Sequence, residues 1–207
     1  MGASPTDVQA RMISCLERTE VRARTIAGLE ETDWPGSVRV HLDRAVAERR
    51  EDRQAHTALD ALVEAVEDGP ELTLLLEDDL EFNRHLGHNI ASWKPVRDRE
   101  PDAPFFASLY DPTIRRLDGQ EGEAFFVADP DAVYGSQAFL FSRATAAYMV
   151  EHWHEVEGMQ DIKMSRLASR LGPIHYHDPS LVQHVGVVSS WGGPYHAASN
   201  FDPAWRA

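Results

Sequence analysis

The segment that most limits the fold is a short apolar run, Leu72–Leu76, which follows Gly69-Pro70 and runs directly into three consecutive acids. Five consecutive leucine and threonine residues are typical of a strand that is buried on both faces of a sheet. The acids Glu77-Asp78-Asp79 place three carboxylates at the carboxyl end of that strand. In open α/β sheets, ligands bind beyond the carboxyl ends of such strands. The run therefore predicts both a central strand and a candidate site.

The rest of the chain alternates between short strand-like runs and helical stretches, which is the pattern of an α/β domain with a mostly parallel central sheet flanked by helices. Besides 72–76, strands are predicted at 11–16, 38–43, 105–110 and 137–141, with a hairpin across 119–126. Helices are predicted at 21–29, 56–66, 84–93, 144–154 and 161–171. The remainder, which is rich in His, Gly, Ser and Trp, has weak periodicity and receives no prediction.

Length and charge limit the organisation and the partners. A chain of 207 residues with 43% hydrophobic residues is long enough for one well-filled core and short for two. We therefore expect residues 1–207 to form a single domain. The net charge of -14 argues against binding to nucleic acid, which requires a basic face. An acidic protein that binds an anionic small molecule must supply a local cation, either a basic side chain or a metal ion.

The single cysteine, Cys15, excludes an intrachain disulfide and suits a reducing compartment. The first residues lack the basic start and apolar core of a signal peptide, and no apolar run approaches the ~20 residues of a membrane span. We therefore expect a cytoplasmic protein without a membrane span.

Three adjacent acids are costly to hold together, because like charges a few ångströms apart repel one another. A divalent cation removes that cost. Carboxylate oxygens suit Mg²⁺ or Mn²⁺, which keep several waters and are shared with substrate phosphates. The alternative is a solvated acidic loop at the end of a strand. The preceding apolar run favours the cation site.

The stretch from Leu74 to Phe82, LLLEDDLEF, resembles the DxD-type region of glycosyltransferases with the GT-A (Rossmann-like) fold. In that family one or two acids bind the metal and the nucleotide diphosphate. The resemblance implies a uridine diphosphate (UDP) sugar as donor, Asp79 as a metal ligand, and Glu77 and Asp78 as groups that orient the ribose or sugar. The segment 14–18 is similar to the first strand and nucleotide-binding loop of the fold. It points to Arg18, and the end of the second strand points to Asp43, as nucleotide contacts.

Further segments extend the resemblance along the chain. Gly135, Ser136 and Gln137 are similar to a glycine-containing loop that approaches the sugar, where Gly permits close contact and Ser and Gln bind hydroxyls. The segment 158–161 resembles the element that ends in the catalytic acid of inverting members, although Gln160 stands where the family often has Glu. Asp161 would be the general base; alternatively, it is only a helix N-cap.

The segment 178–186 resembles a stretch in branching N-acetylglucosaminyltransferases and bacterial lipopolysaccharide-type transferases. It implies His184 as a metal or diphosphate ligand, with the nearby His175, His177 and His196 as competitors for that role. Residues 187–207 resemble a flexible tail that closes over the donor, in which Trp191 would cover the sugar or nucleotide. The alternative is a terminus without a functional role.

Together these segments predict a metal-dependent, inverting hexosyl- or N-acetylhexosaminyltransferase, with a glycan, a small molecule or a peptide as acceptor. Two alternatives remain open at this point. One is a metal-dependent phosphohydrolase that uses the same acids, although such sites need more ligands than the sequence places near them. The other is a nucleotide-binding module without catalysis, which Gln160 favours.

Overall fold

The computed structural model describes residues 8–43, 49–68, 70–186 and 197–207. Its strands are β1 Val8–Cys15, β2 Val38–Asp43, β3 Leu72–Leu76, β4 Leu80–Phe82, β5 Phe106–Ser108, β6 Arg116–Gly122, β7 Phe125–Ala128, β8 Ala138–Ser142, β9 Ile174–His177 and β10 Val182–His184. Its α-helices are α1 Thr19–Glu30, α2 Arg50–Asp68, α3 Leu86–Ser92, α4 Lys94–Arg97, α5 Arg143–His152 and α6 Gln160–Ser169.

Eight of the described strands form one sheet in the order β2-β1-β3-β8-β5-β9-β7-β6. Strand β1 is parallel to both β2 and β3, and β5 is parallel to β9. Strand β8 runs antiparallel between β3 and β5, and β7 is antiparallel to its neighbours β6 and β9. The predicted α/β class is therefore confirmed, with a sheet that is mixed: parallel at the β2-β1-β3 edge and largely antiparallel beyond it.

The sheet has a core on each face, which explains the apolar run at its centre. Every residue of β3 is buried, and its side chains alternate between the two cores. Leu75 packs with Leu62 of α2 and Met149 of α5, whereas Leu74 packs on the other face with Leu29 of α1 and Ile90 of α3. A strand that is apolar on both sides can bury all of its residues only between two layers of helices.

Several predicted elements are confirmed with shifted ends. The strand at 72–76 and the hairpin of β6 and β7 lie where they were predicted. Helix α2 begins at Arg50, six residues before the predicted start, because the charged stretch before His56 forms its first turns. Helix α6 begins at Gln160 with Met159 as its N-cap, so that Asp161 lies in the first turn and is not the N-cap residue.

Two short strands, β9 and β10, were missed; both lie after residue 171, where no element was predicted. Strand β10 pairs antiparallel with β4 in a separate two-stranded sheet, with His184 opposite Leu80. Strand β9 joins the main sheet between β5 and β7. Strands of three or four residues carry too little alternation to be recognised, and their partners lie far away along the chain.

The described part of the C-terminal segment, 197–207, packs against the protein. The side-chain amide of Asn83 donates hydrogen bonds to the main-chain oxygens of Asp202 and Trp205, at 2.8 Å each. The main-chain nitrogen of Ala207 donates to Asn89 on α3 at 3.0 Å. Trp191, which was predicted to cover the donor, lies outside the described residues. Within the described ranges, no helix is long and apolar enough to cross a membrane.

Candidate functional site

The three acids lie where two parallel strands end together. Because β1 and β3 are parallel neighbours with Met12 opposite Leu76, their carboxyl ends meet at one edge of the sheet. Ser14 at the end of β1 and Arg18 in the following turn therefore face the acids that leave β3. The pairing of β10 with β4 brings His184 to the same edge from much further along the chain.

The Arg18 guanidinium joins two of the acids. Its Nε donates to Asp78 Oδ1 at 2.8 Å, and its Nη2 donates to Asp79 Oδ2 at 2.6 Å. Asp78 Oδ2 also accepts a hydrogen bond from the Ser14 hydroxyl. Both carboxylates are almost wholly buried, whereas the Arg18 side chain is a quarter exposed. Arg18 thus supplies part of the positive charge that the acids require, a role that the sequence alone suggested for a metal ion.

The backbone of the acidic turn is fixed from two sides. The Thr25 hydroxyl on α1 donates to the main-chain oxygen of Asp78 at 2.6 Å and accepts from the Leu80 nitrogen at 3.1 Å. The Val185 nitrogen donates to the main-chain oxygen of Asp79 at 2.9 Å. A side chain and a neighbouring loop therefore satisfy the polar main-chain groups of this turn and hold the two carboxylates in place.

Asp79 has the surroundings of a cation ligand. His184 Nε2 lies 3.3 Å from Asp79 Oδ2. The other oxygen, Oδ1, is buried and accepts no hydrogen bond from any described residue. Gly186 makes the close approach of this loop possible, because a Cβ there would lie 2.6 Å from Asp79 Oδ2 and 2.7 Å from His184 Nε2. A buried acceptor without a donor is uncommon in native proteins, and a carboxylate oxygen of this kind can ligate a cation.

The residues present fit a Mg²⁺ or Mn²⁺ ion that has few protein ligands. No group of three His, Cys, Asp or Glu side chains surrounds a single ion position within the described ranges. Such a group is not required, because Mg²⁺ in nucleotide sites is typically held by one or two carboxylates together with waters and substrate phosphates. Asp79 Oδ1 and His184 Nε2 would supply the protein ligands.

The three acids differ in pKa because the charged groups around them differ. Burial, together with the negative charge of Asp79, raises the pKa of Glu77 to about 7. Burial also raises the pKa of Asp78, although Ser14 and Arg18 oppose the shift. Burial alone would raise the pKa of Asp79, but His184 and Arg18 outweigh it and lower the pKa. At neutral pH, Asp79 is therefore the carboxylate that is most strongly held in its charged form.

A second group of polar side chains lies beside the acids. The Ser136 hydroxyl donates to Glu77 Oε1 at 2.5 Å and accepts from Gln160 Nε2 at 2.7 Å. The Gly135 nitrogen donates to Asp161 Oδ2 at 2.8 Å. The predicted glycine loop and the predicted base are therefore in contact, and both connect to the acidic turn.

The loop itself has unusual backbone and side-chain features. Gly135 adopts a φ of +82°, a left-handed conformation that favours glycine. The main-chain oxygen of Gln137 accepts from the Glu77 nitrogen at 3.0 Å, which joins the start of β8 to the end of β3. The side-chain oxygen of Gln137 is buried and has no hydrogen-bond donor among the described residues.

The structure thus brings together most of the predicted site residues: Arg18, Glu77, Asp78, Asp79, Gly135, Ser136, Gln137, Asp161 and His184. Asp43 ends β2 on the far side of β1 and pairs with Arg53 of α2 at 3.5 Å. Three contributors were not assigned a role from sequence: Ser14, Thr25 and Gly186. The resemblance covered the segments around Ser14 and Gly186, but only their distances to the acids reveal what they do.

A separate cavity of about 360 Å³ lies at the other end of the sheet. Its lining includes Phe105 and Phe106 before and in β5, His175 in β9, and Leu171 after α6. Of the described residues proposed for the site from sequence, His175, a competitor of His184, lines this cavity and does not lie at the acids. The cavity therefore plays no part in the site described above.

Comparison with known proteins bears on the fold. No protein-family model and no curated protein matches the chain. Among solved structures, the chain is similar to a glycosyltransferase involved in the glycosylation of the major capsid of PBCV-1, with a TM-score of 0.51 and 13% identity over 87% of this chain and 94% of that one.

A second structure, the mannose-1-phosphate geranyltransferase from Thermus thermophilus, has a TM-score of 0.46 and 12% identity over 83% of this chain and 73% of that one. This similarity is too low to support a shared fold. The likeness to the PBCV-1 enzyme shows a shared fold, and it confirms the predicted single-domain, GT-A-like α/β class.

Proposed function

We propose that this protein is a glycosyltransferase that moves a sugar from a nucleotide-diphosphate donor, a UDP-sugar, to an acceptor hydroxyl with the help of Mn²⁺ or Mg²⁺. The observation that carries the proposal is the meeting of Arg18, Asp78, Asp79 and His184 at the carboxyl edge of the sheet, within a fold that a glycosyltransferase shares. These groups can hold a cation and a diphosphate side by side.

The donor would bind across this edge. Asp79 and His184 would hold the cation, which when bound stabilises the negative charge of the departing diphosphate. Arg18 would contact the diphosphate, and Glu77 and Asp78 would orient the ribose or sugar. Asp43, at the end of β2, would contact the nucleoside, and Trp191 would cover the donor.

The sugar would lie against the loop at 135–137. Gly135 lets the backbone approach the ring closely, and Ser136 offers a hydroxyl. The buried side-chain oxygen of Gln137 is an acceptor without a donor, as expected for a group that receives a hydrogen bond from a sugar hydroxyl. These contacts suit a hexose or an N-acetylhexosamine.

Asp161 would act as the general base. Its two carboxylate oxygens accept from the main-chain nitrogens of Gly135 and Ile162 at 2.8 and 2.9 Å, which fixes the orientation of the group. Each carboxylate oxygen keeps a second lone pair for the acceptor hydroxyl. Asp161 would take the proton of that hydroxyl as its oxygen attacks the anomeric carbon and the bond to the diphosphate breaks. A single displacement inverts the configuration. The acceptor would be a glycan, a small molecule or a peptide in the cytoplasm.

The first experiment measures donor binding by calorimetry, with a panel of nucleoside diphosphates in the presence of Mn²⁺. We expect UDP to bind and Asp79→Ala to abolish binding. Asp118→Ala, which removes an exposed acid on β6, is the matched control and should bind as the wild type does. Unchanged binding by Asp79→Ala would show that the proposed site is wrong.

The base is tested separately with Asp161→Asn. Transfer should fall by about 10²–10⁴-fold, the usual contribution of a general base, while UDP affinity stays close to that of the wild type. An equal loss of donor affinity and of transfer would mean that Asp161 only supports the Gly135 loop.

One observation favours a second candidate, a nucleotide-binding module without catalysis. Gln160 is buried, and its side-chain nitrogen donates to Ser136, so this position is used for structure and not for an acid. Metal-dependent UDP binding without transfer to any acceptor and without hydrolysis of the donor would favour this candidate.

A further inference from the structure

The Arg18 ion pairs suggest how the proposed site is controlled. The guanidinium and any divalent cation would repel one another across the Asp79 carboxylate, because Arg18 Nη2 lies 2.6 Å from Oδ2 and the cation would bind Oδ1. Asp79 is 8% exposed, and its other oxygen has no hydrogen-bond donor among the described residues. A cation that binds Asp79 therefore lies within a few ångströms of a fixed positive charge.

The geometry allows Arg18 to leave. Its side chain is the most exposed member of the triad that it forms with Asp78 and Asp79. It extends from a short 3-10 turn, Leu16–Arg18, in which no residue is buried. After Arg18 leaves, Asp78 keeps the hydrogen bond from Ser14 and Asp79 keeps His184 at 3.3 Å from Oδ2. Asp79 loses the charge of the guanidinium, which a cation would replace.

We propose that Arg18 is an exchangeable counter-ion: it occupies the acids in the empty site, and it moves to the diphosphate when a divalent cation takes its place on Asp79. The inference rests on the proposed function and adds that cation and diphosphate bind cooperatively. The charges require this, because the cation repels Arg18 and the diphosphate attracts both of them. Each ligand thus removes the obstacle to the other.

Gly186 supports the exchange. A side chain there would enter the space around Asp79 Oδ2 and His184 Nε2, at 2.6 and 2.7 Å from these atoms. Glycine at this position leaves room for the loop in which the Val185 nitrogen donates to the main-chain oxygen of Asp79 at 2.9 Å. The acid is thus held in place while its partner changes.

The test is a calorimetric cycle with Mn²⁺ alone, UDP alone, and each in the presence of the other. For the wild type we expect weak Mn²⁺ binding that UDP tightens by about tenfold or more, with UDP tightened by Mn²⁺ by the same factor. Arg18→Ala should bind Mn²⁺ alone about tenfold more tightly than the wild type, and its coupling factor should be smaller than that of the wild type, because only the direct attraction between Mn²⁺ and the diphosphate remains. Arg24→Ala, which removes an exposed arginine from the helix that follows, is the matched control and should behave as the wild type does.

A second variant, Arg18→Lys, allows the same test if Arg18→Ala does not fold. Arg18→Lys keeps one positive charge, but its ammonium group cannot span both carboxylates. Its Mn²⁺ affinity should lie between those of the wild type and Arg18→Ala. If neither variant tightens Mn²⁺ while the wild type binds Mn²⁺ and UDP, the exchange is wrong and the proposed function stands. If the wild type binds neither ligand, the proposed function itself fails.

Discussion

Two arginines in this protein each pair with two acids, but the burial of the partners is opposite in the two clusters. Arg11 is completely buried and pairs with Glu64 at 3.0 Å and Asp68 at 2.9 Å, two acids whose side chains are 41% and 38% exposed. Arg18 is a quarter exposed and pairs with two acids that are buried. In the first cluster the cation is inside and the acids face water. In the second the acids are inside and the cation faces water.

The difference indicates which cluster has a structural role. Arg39 also pairs with both Glu64 and Asp68, so two cations balance two acids around Arg11. Arg18 faces two carboxylates and has Glu77 beside them, which leaves an excess of negative charge unless His184, 3.3 Å from Asp79 Oδ2, is protonated. A balanced cluster with a buried arginine holds β1, β2 and α2 together. An unbalanced cluster with buried acids and a partner at the surface is suited to binding a cation.

The largest expected effect comes from removing each arginine. Arg11→Ala removes a fully buried, multiply bonded side chain and should lower the free energy of unfolding by about 3–5 kcal/mol. Arg18→Ala should cost roughly 2 kcal/mol, because its carboxylates can take up protons or water. Mn²⁺ should restore the stability of Arg18→Ala and not that of Arg11→Ala, as measured by urea denaturation. Rescue of both variants, or of neither, would contradict the distinction between the clusters.

The two clusters should also differ in their dependence on pH. The pKa of Glu77 is raised from 4.5 to about 7, so its neutral form stabilises the folded protein below pH 4.5, and this contribution is lost as the pH rises through 7. Relative to Glu77→Gln, the wild type should therefore lose roughly 3 kcal/mol of unfolding free energy between pH 4.5 and pH 8. Denaturation of both proteins at several pH values measures this difference.

Glu64 serves as the contrast for that experiment. Burial alone would raise its pKa, but Arg39, His41 and Arg11 outweigh it and lower the pKa. Its charged form stabilises the protein above its unfolded pKa near 4.5, and the contribution is lost as the pH falls through the lowered value. The Glu64→Gln series should therefore have the opposite slope. Parallel slopes for the two variants would mean that their surroundings do not differ as described.

A smaller effect is expected from filling the space beside Asp79. In Gly186→Ala, the new methyl group would lie 2.6 Å from Asp79 Oδ2, so the loop or the carboxylate must move. We expect a loss of about 1–2 kcal/mol of stability and weaker Mn²⁺ binding in the presence of UDP. Gly172→Ala is the matched control, because nothing lies within 4 Å of a Cβ at that position. If the two variants had the same stability and the same Mn²⁺ affinity, Gly186 would have no role in the site.

The smallest effect should come from the exposed acid of the first cluster. Glu64→Gln at neutral pH should cost about 0.2–1 kcal/mol, and the cost should shrink as salt is added, because ion pairs of exposed acids are screened. Thermal melts at low and high salt measure it. A loss as large as that of Arg11→Ala would show that the exposed acids carry the stability of this cluster.

Local patterns were enough to predict most of the elements. The strand Leu72–Leu76 is apolar except for Thr73, because both of its faces are buried. Helix α2, which is buried on one side only, shows a 3.6-residue apolar period for a related reason. The first turns of α2 were missed because charged residues near Arg50 carry no apolar period, and β9 and β10 because three or four residues are too few to show one.

For the candidate site, too, the sequence predicted some features and not others. Glu77, Asp78 and Asp79 could be proposed from their order after a strand, and Gly135, Asp161 and His184 from their resemblance to a family. Their mutual distances could not, because these depend on pairings between residues that are far apart in the chain. The contact of Asp161 with Gly135 and the approach of His184 to Asp79 exist only in the folded protein.

The amino-acid order alone therefore determined the α/β class, the central strand and the three acids at its end, because burial and helical or strand periodicity are local properties. Tertiary structure decided what neutralises those acids. Arginine can pair with any acid that the fold brings near it, so the sequence does not reveal that Arg11 becomes a buried support and Arg18 a partner at the surface. That choice depends on which side of each ion pair the sheet and its helices exclude from water.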